Sequence, residues 1–188
     1  MYKKILNELI YNYLIKKLIK VDNTIKIKDI DKLDEFVKNI VIKKKSESHH
    51  IIDSGNEACR WRTGMGGEMA LEQLLGKPFV DFSIGDSKDY HTPDLKKLGI
   101  DVGIKSVEKG KYPIIFKKSY KPEIIVLKLD DENFSILGLA TVDVLNKYQD
   151  DDLILSPALK ARGTKTAFTG LYKLKPFSNF DELIKLIN

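Results

Sequence analysis

The chain has 188 residues, 43% of them hydrophobic and 31% charged, with a formal net charge of +5 and one cysteine. That composition favours one domain with a real core under a solvated surface, excludes an intramolecular disulfide, and fits a reducing, cytoplasmic setting. No apolar run approaches the roughly 18–20 residues a membrane span needs, and lysines, asparagines and a glutamate interrupt the N-terminus, so it lacks the apolar core of a signal peptide.

In chain order, residues 2–20 predict an amphipathic helix, with Ile5, Leu9, Ile10, Tyr13, Leu14 and Leu18 recurring at helical spacing. A second helix is expected at 29–44, its acids early and its lysines late, as the helix dipole favours. The two make a helical extension over residues 1–48, ahead of an α/β domain at 49–188. Residues 43–58 read as a polar connector. His49 and His50 are adjacent, diverge on any regular element and have no third ligand nearby, so they read as a solvent-exposed pair. Cys59 sits in "NEACRW" without an activating neighbour and reads as a plain thiol.

Residues 61–78 predict a helix opened by the glycines of "GMGG" and closed by Gly76, with Pro78 just beyond. A strand is expected at 79–84, then a hairpin over 91–107 turning through 96–99, then strands at 112–117, 123–129 and 134–140. A short helix follows at 141–149, with Thr141 as its N-cap. After it come a basic, irregular segment at 156–176 and a capped terminal helix at 178–187. Helices, a run of strands and helices again predict an α/β (α+β) fold around one central sheet.

The hairpin carries the chemistry. On a strand through "IDVGIKSV", Asp101, Gly103 and Lys105 share one face, and Gly103 leaves space between the other two. With 96–99 as the loop, Leu95 faces Ile100 and Asp94 faces Asp101, with Cβ atoms about 5 Å apart. Two like charges so placed call for a divalent cation with oxygen ligands, magnesium above all. Glu68, near the start of the glycine-led helix, can overhang the same spot. Three acids and a lysine are what metal-assisted phosphodiester hydrolysis requires: carboxylates for the metal, and a compact cation for the attacking water or the phosphate.

"GEMALEQLLG", "TPDL" and "VGIKS", followed by "YPIIF" and "EIIVLKL", resemble the core of the PD-(D/E)xK nuclease superfamily over residues 64–140. The resemblance implies a restriction-endonuclease-like mixed sheet flanked by helices and a Mg²⁺-dependent DNA endonuclease, with Mn²⁺ as a possible substitute. It makes Glu68 the helix acid, Asp94 the "PD" acid and Lys105 the lysine of "(D/E)xK". The acid two before that lysine is replaced by Gly103, and Asp101, one pleat away, is the expected substitute; Glu68, Asp94 and Asp101 would ligate the metal. The rival reading is an inactive nucleic-acid-binding or assembly protein on the same fold. Further candidates of lesser weight are Glu72, Asp89, His91 and Glu108.

Residues 156–176 hold Lys160, Arg162, Lys165, Lys173 and Lys175 with no acid, interleaved with threonines, Phe168 and Tyr172. Phosphate-tracking surfaces are built this way. Arg60 and Arg62 can add phosphate contacts beside the acid helix, with Trp61 between them as a core anchor. DNA is the expected partner. Cutting both strands calls for two sites, hence a homodimer.

Overall fold

The computed structural model describes residues 2–44, 57–83 and 94–188. His49, His50, Asp89 and His91 fall outside them. Every residue of β4 (Glu123–Lys128) is buried, and so is all of β5 (Asn133–Ala140) after its first residue. Strands buried this continuously need cover on both faces. The main sheet runs β1 (Thr24–Lys26), β5, β4, β2 (Gly103–Glu108), with β2 parallel to β4 and the other neighbours antiparallel. One face presents Ile104, Ile124, Val126, Phe134 and Ile136 to α2 (Ile30–Lys44), α3 (Glu57–Leu75) and α6 (Phe180–Ile187). The other presents Val107, Ile125, Leu127 and Leu137 to α1 (Tyr2–Leu18) and to a second, antiparallel sheet. That sheet runs β3 (Ile114–Phe116), β7 (Lys165–Phe168), β6 (Gln149–Asp150). The fold is therefore mixed α and β, a mixed central sheet flanked by helices.

Several expectations are corrected. The third helix starts at Glu57, so "GMGG" lies inside it rather than opening it. These glycines are packing surface: a Cβ at Gly66 would overlap the Phe134 ring, and one at Gly67 would overlap Ser106 Oγ. Residues 79–83 pair with no strand, because the Phe79 and Val80 N–H groups donate to the Glu72 carboxylate at 2.6 and 2.7 Å. Glu72 is thus spent on the chain that leaves its own helix. The hairpin is reduced to a turn. A single 3₁₀ turn at Lys96–Leu98 ends on Gly99 at φ 78°, and the backbone bonds Ile100 N–H to Leu95 O and Leu95 N–H to Val102 O close it. Residues 112–117 do supply a strand, β3, but in the second sheet.

The N-terminal helix buries only part of the stripe its apolar spacing suggests, with Leu18 packed beside the core. Tyr11 and Ile15 are buried, whereas Leu9, Ile10 and Tyr13 are exposed. Tyr11 is drawn in by specific partners: its hydroxyl accepts from Gly110 N–H at 3.1 Å, and its ring meets Tyr112 edge-to-face at 5.0 Å. The first quarter also enters the main sheet and core, through β1 on β5 and through Leu33, Phe36 and Ile40 of α2. Thr141 caps α4 (Val142–Lys147) as its sequence implies, accepting from Val144 N–H. Residues 156–176, expected to be irregular, hold α5 (Pro157–Arg162) and β7. Among the described residues no helix is long and apolar enough to cross a membrane.

Candidate active site

β2 lies at the edge of the main sheet. Its backbone groups point alternately toward β4 and toward the open side. Gly103 N–H donates inward to Pro122 O at 3.0 Å. Ile104 N–H points outward, where Asp94 Oδ2 accepts it at 2.6 Å. Asp94 is therefore fixed on the strand edge by an otherwise unpaired sheet donor, a charge-assisted bond of the stronger kind.

The parallel register sets Gly103 beside Glu123, the first residue of β4. A Cβ on residue 103 would stand 2.8 Å from Glu123 Cδ and closer still to its Oε2. The glycine thus makes room for a carboxylate delivered from the neighbouring strand. Two residues along, Lys105 Nζ lies 3.6 Å from Glu123 Oε2, an ion pair just past hydrogen-bond length. Glu123 is only 5% exposed, and its Oε2 has no hydrogen-bond donor. An acid so buried is costly unless a cation meets it. Burial pushes its pKa up, and the charges of Lys105 and Lys121 pull it partly back.

Glu68 projects from the middle of α3 and is half-buried. Burial, and then the negative charge of Asp94, push its carboxyl up to about 8, against the pull of Lys105. Asp94 raises both glutamates and Lys105 lowers both, so the four charges act on one another. Glu68, Asp94, Glu123 and Lys105 thus form one interacting group. Among the described residues, no three acid, histidine or cysteine side chains stand close enough together to hold a metal as they are.

Asp101 is not brought into this group. It is exposed, precedes the first residue of β2, and makes no hydrogen bond or ion pair with a described residue. The acid that does join, Glu123, lies 18 residues after Lys105, outside the span of any local motif. One signal was visible: a glutamate opening the otherwise apolar run "EIIVLK", on a strand able to pair with the glycine's own.

The expected phosphate-contacting cations separate into two sets. Arg62 is tied to Asp34 of α2 and to Asp131 after β4, so it braces the core. Lys160 pairs with Asp152 at 3.5 Å, and Lys173 lies over the Tyr172 ring. Arg60 is exposed and lines a cleft of about 1040 Å³ between the first turns of α3, β2 and residues 153–159, with Lys105 also in its wall. Glu108 and Cys59 line it too. The thiol donates to Glu108, and burial followed by that carboxylate pushes the thiol pKa up, away from nucleophile chemistry.

Lys165 stands out. It opens β7 on the second sheet, half-buried, with Nζ 3.1 Å from the centre of the Phe116 ring. Burial and the nearby charge of Lys105 bring its pKa down to about 8, with Glu123 opposing. The second sheet therefore carries a cation into the field of Lys105 and Glu123. No family model, no curated protein and no solved structure matches the chain.

Proposed function

We propose that the protein is a metal-dependent nuclease that hydrolyses DNA phosphodiesters, on a restriction-endonuclease-like fold of the PD-(D/E)xK kind. The observation that carries this is Glu123 standing in the space left by Gly103, 3.6 Å from Lys105. The acid–lysine pair that a "(D/E)xK" strand supplies within one strand is here divided between two. Glu123 takes the role that spacing alone gives to Asp101.

The donor set suits Mg²⁺ or Mn²⁺: it is all oxygen, with Asp94 anchored, Glu123 holding an unmatched acceptor atom, and Glu68 pressed toward neutrality by burial and by the charge of Asp94. Asp94 and Glu123 would hold the ion, with Glu68 as a further donor. When bound, it supplies Lewis-acid stabilisation of charge on the phosphate. Lys105 holds the attacking water or a phosphate oxygen as a compact cation. Asp94, fixed to the Ile104 amide, gives the site a rigid corner. A homodimer, with the exposed Leu9, Ile10 and Tyr13 of α1 as a contact surface, would pair two such sites for both strands, and the cytoplasm suits the chemistry.

One observation favours the non-cleaving reading, a nucleic-acid-binding protein on the same fold. Both Glu68 and Glu123 are driven toward their neutral forms, which ligate metal poorly. Supercoiled plasmid incubated with Mg²⁺, Mn²⁺ or EDTA separates the two. Metal-dependent nicking that Asp94→Ala, Lys105→Ala and Glu123→Gln each reduce by about 10²-fold or more establishes the nuclease. DNA binding without product on plasmid, linear, branched, single-stranded or RNA substrates leaves the binding protein.

A further inference from the structure

We infer that Lys165 is a second phosphate-binding residue of this site, closing with Lys105 on one nucleic-acid phosphodiester from the opposite sheet. The inference rests on the nuclease-like reading of the site and adds a residue that the acid–lysine pattern does not contain.

Lys165 belongs to the second sheet, paired with Phe116 in the β3–β7 register, while Lys105 belongs to the main sheet. Ile115 and Phe168 pack the second sheet onto Ile125 and Leu127 of β4, so Lys165 shares the other face of that sheet with Phe116 and Ile114, and Ile114 lines the same cleft as Lys105. Two lysines from separate layers are thereby held within each other's field, although like charges in a half-buried place repel. Glu123 does not resolve the conflict, because its ion pair is with Lys105. Lys165 has the Phe116 ring beneath its ammonium, and a ring face orients a cation without neutralising it. Arg162, at the last turn of α5, adds a third positive charge within reach of Lys165.

Such an arrangement is costly in the free protein and is relieved by an anion seated between the cations. A phosphodiester fits: one charge, several acceptor oxygens and a sugar-phosphate chain to lead away past exposed Arg162. The ring under Lys165 also fixes the direction from which its ammonium meets the ligand.

The test is DNA binding in EDTA, where no cleavage intervenes, by fluorescence anisotropy of a labelled oligonucleotide across a salt series. Lys165→Met, which keeps the stem over Phe116, should weaken binding about tenfold and lower the slope of log K against log salt by about one. Lys165→Arg should keep both, and Lys185→Met, in the last turn of α6, should change neither. In the wild-type protein, DNA should also protect Lys165 from acetylation, read by mass spectrometry; this arm does not depend on a variant folding. Unchanged slope and affinity in a folded Lys165→Met, or acetylation indifferent to DNA, overturns the inference even if plasmid is cleaved. Lost binding and DNA protection without any cleavage sustains it while removing the nuclease reading.

Discussion

Gly103 is space already taken. Any side chain there contests the volume of the Glu123 carboxylate. Gly103→Ala should therefore cost about 1–3 kcal/mol, as overpacking does, and should abolish metal-dependent cleavage. Moving the acid back, with Gly103→Glu and Glu123→Gly together, should restore part of the cleavage that Gly103→Ala loses. Denaturant unfolding and the plasmid assay read the two effects, and a Gly103→Ala protein of full stability and activity would show that the position of Glu123 is immaterial. Glu68 makes a separate prediction. Its carboxyl titrates near 8 in the folded chain against 4.5 ordinarily, so between those values the native state holds a proton that the unfolded chain has released. Stability of the metal-free protein should fall as pH rises from about 4.5 to about 8 and level off above, by a total on the order of 2–4 kcal/mol. Glu68→Gln should flatten that fall, and so should saturating Mg²⁺, which gives the carboxylate a reason to ionise. A melting series across pH with each protein would measure it.

Among the elements, α3 depends on close approach. Gly67 lies against Ser106 of β2, with Val126 beyond, and Gly66 lies under Phe134 of β5. Ordinarily Gly→Ala within a helix gains roughly 1 kcal/mol. Here Gly67→Ala should instead lose about 1–3 kcal/mol, lowering Tm by roughly 3–10 °C for a chain of this size, and Ser106→Gly should recover much of the loss. The sequence made β4 and β5 legible by their apolar runs, α4 and α6 by their caps, and α3 by its body and closing glycine though not by its start. It hid what depended on partners far along the chain. β1 is three residues long and exists through β5, more than a hundred positions away. Residues 79–83 have strand composition, but their amides are taken by Glu72. Asp94, Lys105 and Glu68 could be read from local motifs, whereas Glu123 required the β2–β4 register, which no local pattern specifies.

For the whole molecule, the main sheet is the middle layer, and each outer layer contributes one charged group to the site: α3 brings Glu68, and the second sheet brings Lys165. The N-terminal quarter is built into this stack through β1, α2 and the Tyr11–Tyr112 contact. Removing residues 1–28 should therefore abolish cooperative unfolding rather than yield a trimmed, active domain, as circular dichroism melts would show; a truncated protein with a sharp transition would mark the extension as dispensable. Dividing the acid and the lysine between parallel strands also has a consequence in time. Lys105 leaves the ribosome well before Glu123, and the pair has no existence until β4 docks on β2 in the correct register. A slip of one residue turns Glu123 to the opposite face. A growing or misfolded chain therefore lacks the pair, and whatever chemistry the pair performs is withheld until folding is complete.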